Sequence, residues 1–283
     1  MKPRDTGSGG GLCARLSAAA PRHAFTLLEL LAVIAVIMLL AALLLPVLGR
    51  AKARARAIHC INNGHQIALA AITYAADSDD WLPPNEIPLT DPSWVGQPNN
   101  GFYDTSTLLD PKHTLLAPYL RSLPIWKCAA DTTQWYRSYS VNGAVGTKVV
   151  SLSPTDAPWL NYPGPNNSAV SGPWRTYGKL SHITTPGPSS LYFMVDVDRR
   201  WLSEPCFQLS MGTGPTGWGC FPGARHNFGS MLSYSDGHAE VHKFRDARTW
   251  GPAREDVSAT FVAQGSPDNP DVIWMQQRTS AHR

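Results

Sequence analysis

The chain has 283 residues, 43% of them hydrophobic and only 16% charged, with a formal net charge of +3, which excludes a charge-swollen disordered polymer. Its 23 glycines and 24 prolines are too few for a collagen-like repeat and favour a loop-rich fold over a long helical bundle. The charge is uneven, +3 over residues 1–24, +3 over 25–76 and −3 over the remainder, so no dense basic face offers a sequence-independent grip on nucleic acid.

From Leu30 to Leu48 the chain runs nineteen residues without a charge, and back to Phe25 the only charge is Glu29. As a helix, Phe25–Leu48 is ~36 Å long, enough to cross a ~30 Å hydrocarbon layer. A cleavable secretory signal has a core of roughly 7–15 apolar residues, so this run is too long for one, although Ala51-Lys52-Ala53 has the outline of a cut site. A plain anchor fits the length but leaves Glu29 unexplained, because a carboxylate in a span costs free energy and normally has a partner.

Beyond the span, Ile58, Ile61, Ala68, Leu69 and Ile72 recur at helical spacing. They predict that the membrane helix continues as a stalk to Ala76, with Arg50, Lys52, Arg54 and Arg56 as a solvated collar at the headgroups. Asp77-Ser78-Asp79-Asp80 stops the helix. In the head, Thr114–Leu120 reads as a short helix ended before Pro124. Strands are predicted at Ile125–Cys128, Arg137–Val141, Ser190–Val197 and around Met231.

The clearest local signal is Gly229–Phe244, where Asp236-Gly237 supplies a two-residue hairpin turn pairing Ser235 with His238, Tyr234 with Ala239 and Leu232 with Val241. One face then carries Leu232, Tyr234, Ala239 and Val241 against the core. The other, with Met231, Ser233, Ser235, His238, Glu240 and His242, faces water. His238, Glu240 and His242 share a face that suits metal ligation, but an ordinary polar face accounts for them. Asp196 and Asp198 match no spaced calcium loop. No metal or other cofactor is therefore expected.

Ala24-Phe25-Thr26-Leu27-Leu28-Glu29-Leu30 resembles the processing site of type IV prepilins and type II secretion pseudopilins. The resemblance implies that a prepilin peptidase cuts between Ala24 and Phe25, that Phe25 is then N-methylated, and that Glu29 meets the terminal amine of a neighbouring subunit during assembly. Ala24 stands where the family usually has Gly. Pro46 lies where many pilins carry a helix-loosening proline. His226 followed by nine residues and Asp236-Gly237 resembles the signature of the H-X9-DG class of prepilin-like proteins. Cys60-Ile61-Asn62-Asn63, Cys128-Ala129-Ala130-Asp131 and Ser138-Tyr139-Ser140-Val141-Asn142 resemble further motifs of that class, with Ala129 in place of the usual Pro.

Cleavage removes Cys13 and leaves Cys60, Cys128, Cys206 and Cys220 as candidate disulfide partners, with three connectivities open. Cys206 with Cys220 is the local pairing, and Cys60 with Cys128 the one that ties the stalk to the sheet.

The expected molecule is α+β: a leader at 1–24, a transmembrane helix and stalk at 25–76, and a head at 77–283 with a small antiparallel β-sheet and long loops. No nucleophile elbow, zinc-protease helix or phosphate loop points to an enzyme. The expected role is a structural subunit of a type II secretion or type IV pilus-like assembly. Its partners are prepilin peptidase, neighbouring pilin-like subunits and inner-membrane lipid, with a single pass through the inner membrane and the head periplasmic or extracellular. The alternative is a membrane-anchored binder of carbohydrate or protein that never polymerises, using aromatic platforms such as Trp135-Tyr136.

Overall fold

A computed structural model describes residues 26–85, 92–96, 104–146, 174–202, 205–211, 217–250 and 264–282. The elements in chain order are α1 (Leu27–Asp77), β1 (Tyr139–Asn142), β2 (Tyr192–Asp196), β3 (Cys206–Phe207), β4 (Gly217–Trp218), β5 (Gly229–Tyr234), β6 (Ala239–Lys243), α2 (Ala247–Trp250), β7 (Gln264–Gly265) and α3 (Pro270–Thr279). Two compact units result, residues 1–49 and 50–283, so the stalk half of α1 belongs to the same unit as the sheet.

In the first unit, all sixteen large apolar side chains from Leu27 to Leu48 are exposed, from Ile34 at 43% to Leu27 at 77%. Burying such side chains is worth ~1.5–3 kcal/mol each, so leaving this run in water forfeits on the order of 20 kcal/mol, more than the ~5–15 kcal/mol that holds an ordinary domain together. The helix is long and apolar enough to cross a membrane, and its surface is made for lipid or for other helices. It runs without interruption through Pro46, whose missing N–H leaves the Ala42 carbonyl without its i+4 donor.

In the second unit, five strands lie in the order β3-β1-β2-β5-β6. The α+β class is as expected, but the sheet is mixed, because β3 joins β1 in parallel while the other pairs are antiparallel. The long connection from β1 through β2 to β3 permits this, since parallel pairing only requires a crossover of sufficient length. A separate ribbon pairs β4 with β7.

β1, β2 and β5 are buried along their whole length, because the sheet is covered on both faces. On one face, α1 presents Cys60, Asn63, Gly64, Ile67, Ala68, Ala71 and Ala75. A Cβ on Gly64 would overlap Met231 Sδ and lie 3.6 Å from the Ala239 Cβ. On the other, α3 stacks Trp274 on His242 with ring centroids 3.6 Å apart, and Thr279 Oγ1 donates to Tyr192 Oη at 3.3 Å. Asn269 caps α3, its side chain accepting from the backbone N–H of Asp271 and Val272.

The stalk helix continues as expected, with Ile67 and small residues on its packed face and Ile58 and Leu69 66% and 42% exposed. Three sequence expectations need correction. Residues 114–120 form successive turns, not a helix: Pro118 has no N–H to donate, and the Leu115 N–H is drawn to the Ser93 carbonyl at 2.8 Å. Ile125–Cys128 is not a strand; Leu123–Trp126 is a 3-10 turn with proline at its start.

The hairpin register also differs by one. Ser233 pairs with Ala239, Leu232 with Glu240 and Met231 with Val241. The connection is a three-residue loop, Ser235-Asp236-Gly237, in which Gly237 alone has positive φ (98°). Tyr234 N–H donates to His238 O at 2.8 Å and Gly237 N–H to Tyr234 O at 3.0 Å, a type I turn closed by a left-handed glycine. A one-residue slip exchanges the faces of a strand, so Met231 and Val241 point to α1 while His242 points to α3.

These contacts predict that in the detergent-solubilised full chain Ile67→Ala costs about 2–5 kcal/mol of unfolding free energy, while Ile58→Ala stays within about 0.5 kcal/mol. Urea titration followed by near-UV circular dichroism distinguishes the two.

Candidate functional site

Two regions carry the candidate residues. The first is the start of α1. Ala24 and Phe25 lie outside the described residues, but Thr26 and Glu29 form a reciprocal cap. Thr26 N–H and Thr26 Oγ1 donate to Glu29 Oε2 at 2.9 and 2.8 Å, and Glu29 N–H donates to Thr26 Oγ1 at 3.2 Å. This is the Thr-x-x-Glu capping box, which satisfies donors that a helix start leaves open. Sequence reasoning passed over Thr26, although that spacing was its visible signal. Glu29 is exposed among exposed apolar neighbours, and its cap uses one carboxylate oxygen, Oε2.

The second region lies in the head, where segments far apart in sequence converge. Cys60 on α1 places its Sγ 2.8 Å from Cys128 Sγ, and His226 Nε2 is 3.3 Å from Cys128 Sγ. Three residues further along α1, Asn63 donates to the carbonyls of Pro124 and Lys127 at 3.2 and 3.0 Å. It thereby holds the segment that delivers Cys128. Ser138 Oγ donates to Asp131 Oδ2 at 2.6 Å and accepts from Cys128 N–H at 3.1 Å. Arg225 Nη2 is 3.2 Å from Asp131 Oδ2, and Arg225 Nη1 pairs with Asp196 Oδ1. The residues quoted from four separated motifs, Cys60, Cys128 with Asp131, Ser138 and His226, thus meet at one buried node.

The node is electrostatically tense. Burial opposes ionisation of Asp131, but Arg225 and hydrogen bonds from Ser138 and Thr133 bring its pKa below the ordinary value. For Asp196 burial wins over the nearby Arg225 and His226, and its pKa is pushed up to about 7. Its Oδ2 has no hydrogen-bond partner among the described residues. Cys60 is drawn below the usual thiol value by the hydrogen bond with Cys128, against the opposing effect of burial, with His226 and the Ala129 N–H assisting. The same contact and burial raise Cys128. Arg225 and Asp196 had no motif to announce them; only the fold brings them beside Cys128.

The remaining candidates do not join this node. His226 and Asp236-Gly237 stand at opposite ends of β5, six residues or ~20 Å apart along the strand. The nine-residue spacing is thus the length of one strand with its two turns. Asp236 Oδ1 accepts from His238 N–H at 3.1 Å, and Gly237 O is 2.6 Å from His65 Nδ1 on α1. The turn before β5 holds Asn227 and Phe228 at positive φ (54° and 60°). Asn142 is spent on the Tyr192 and Thr279 carbonyls.

His238, Glu240 and His242 do not converge on one point. His238 stacks on Tyr234, Glu240 accepts from Tyr234 Oη at 2.8 Å, and His242 stacks on Trp274. Asp198 binds Arg200 rather than joining Asp196 around a cation. Cys206 and Cys220 are buried, as are Cys60 and Cys128, all as thiols. Trp94, Trp126, Trp218 and Tyr136 lie in the core, each at most 2% exposed, so these rings are not available as stacking platforms.

Among known proteins, the family model described as the prokaryotic N-terminal methylation motif matches residues 20–45. The match spans Ala24-Phe25, the capping box and most of the uncovered apolar helix. No curated protein and no solved structure matches the chain.

The node yields two predictions. Arg225→Met strands two buried carboxylates and costs about 3–5 kcal/mol in denaturant unfolding. Asp196 has an ordinary pKa of 3.8 and a folded pKa of about 7, so the folded chain keeps a proton that the unfolded chain releases. Its stabilising contribution is full below about pH 4 and is lost as the pH rises through about 7. Asp196→Asn therefore flattens the stability–pH profile across that window, as measured by unfolding at stepped pH.

Proposed function

We propose that this protein is a structural subunit of a pilin-like assembly, a type II secretion pseudopilus or type IV pilus-like filament, processed by prepilin peptidase and methylated at Phe25. The observation that carries the reading is the coincidence of the methylation motif at residues 20–45 with an apolar helix whose every large side chain from Leu27 to Leu48 is uncovered. Before assembly, lipid of the inner membrane covers that surface in a single pass, with the head outside the cytoplasm. In the filament, helices of neighbouring copies cover it instead, through close packing that needs no aqueous hydrophobic drive.

Removal of residues 1–24 exposes a new amine at Phe25, four residues before Glu29 and next to its capping partner Thr26. The carboxylate of one copy, with Oε2 engaged in its cap, has Oε1 to offer the ammonium of an adjacent copy. Such a pair is favourable only if both charges leave water together, which fixes the axial register of one apolar rod against another that otherwise slides. The carbohydrate-binding alternative gains no support from Trp94, Trp126, Trp218 and Tyr136, which are packed inside the head, and leaves half-buried rings such as Trp135 as platforms.

The test uses two substitutions at one position. Glu29→Gln keeps the capping geometry, which glutamine also serves, and removes the charge; Glu29→Ala removes both. Both variants are expected to remain membrane-inserted and processed, yet to be incorporated into filaments at least about tenfold less than wild type, the loss of ~1.4 kcal/mol or more per contact. Quantitative immunoblotting of sheared filaments measures this. Mass spectrometry of the mature chain should find methylated Phe25 as the first residue. Full incorporation of Glu29→Gln, or a mature chain that retains Met1, refutes the proposal.

A further inference from the structure

Cys60, on the stalk half of α1, and Cys128, in the loop after the Leu123–Trp126 turn, bring their sulfurs to 2.8 Å, with both residues at most 1% exposed. A disulfide bond measures ~2.05 Å. Two thiolates on one tetrahedral zinc ion, each at ~2.3 Å from the metal, stand about 3.8 Å apart. The observed spacing lies short of the metal arrangement, which requires the two segments to be wedged apart inside a close-packed core. The bond requires a small closure.

The donor count points the same way. Cys60, Cys128 and His226 have ligand atoms within 4.8 Å of one another. Among the described residues this group stops at three, one short of the four that a buried structural zinc site takes. The backbone meanwhile addresses the sulfurs directly. Ala129 N–H donates to Cys60 Sγ at 3.1 Å and Ala130 N–H to Cys128 Sγ at 3.4 Å, contacts that hold the two sulfurs side by side once the stalk is docked.

We propose that Cys60 and Cys128 become a disulfide after export, a covalent staple that joins the stalk helix to the head across 68 residues of chain. The inference rests on the exported head of the assembly-subunit reading. A dithiol–disulfide oxidoreductase of the exported compartment is the oxidant. One cysteine thiolate attacks the oxidant's disulfide, forming a mixed disulfide and releasing one oxidant thiolate. The second cysteine thiolate then attacks the protein sulfur of that mixed disulfide, so the Cys60–Cys128 bond forms as the second oxidant thiolate leaves. Two electrons pass to the oxidant, and the two thiol protons end on its reduced dithiol. Because both sulfurs are buried in the folded head, the exchange precedes final docking of the stalk against the loop. In an assembled filament the staple passes axial load from the helix to the head through a bond rather than through packing alone.

The full chain, exported and extracted in detergent, is denatured in a thiol-alkylating reagent without reductant and then digested. The expected result is one cross-linked species containing the Cys60 and Cys128 peptides, split by reductant. Cys60→Ser and Cys128→Ser each lower Tm by about 5–15 °C, and the double variant lowers it no further than either single one. His226→Gln keeps the cross-link. Alkylation of both cysteines in an exported head overturns the staple while leaving the subunit reading standing, as does zinc co-purifying at one ion per chain and lost in His226→Gln. A head that stays shielded in the cytoplasm, shown by resistance to protease added to spheroplasts, overturns both.

Discussion

Apart from Ile67, the stalk half of α1 meets the sheet mostly through small side chains. Gly64 lies against Met231 with no room for a Cβ, and Cys60, Ala68, Ala71 and Ala75 continue the same stripe. Small residues let a helix backbone approach a sheet closely, so dispersion contacts accumulate along both elements. The docking carries Asn63 to the carbonyls of Pro124 and Lys127 and His65 to the Gly237 carbonyl. Without it, neither the loop bearing Cys128 nor the turn after β5 has its anchor.

The same helix therefore answers to two environments. Between Leu27 and Leu48 it is apolar on every side and uncovered, the pattern of a rod surrounded by lipid or by its own kind. From Cys60 onward one face is buried against the head and the other is left to solvent. The exposed Arg50, Lys52, Arg54 and Arg56 mark the change. The uncovered apolar surface and the head-packing face therefore lie on different stretches of one continuous element, so neither competes with the other for side chains.

The buried node draws residues from separated motifs into one polar cluster. Arg225 sits between Asp131 and Asp196, with Ser138 bonded to the first carboxylate and Cys128 bonded to Ser138. Truncating any member leaves a polar group buried without its partner, which is costly. The cluster thereby specifies one arrangement of stalk, loop and sheet. The left-handed pair Asn227-Phe228 adds local backbone strain beside it, and the Lys243 ammonium group secures that turn by donating to the His226 and Asn227 carbonyls.

What the sequence determined by itself was set by local or composition-level physics. Nineteen uncharged residues declare the apolar helix, and the runs within Ser190–Val197 and Gly229–Phe244 declare strands; the Thr26 to Glu29 interval carried the cap's signal unread. What only the tertiary structure decided depends on partners distant in the chain. The stalk's packed face is made of Cys60, Asn63, Gly64, Ile67 and alanines, a choice set by what the opposing sheet can approach. The hairpin register turned on whether one residue or two adopt positive φ. His226, Cys60 and Cys128 became neighbours only because α1, the 123–128 segment and β5 fold onto one another. Periodicity reports which side of an element is apolar, but it carries no information about which remote side chain arrives to meet it.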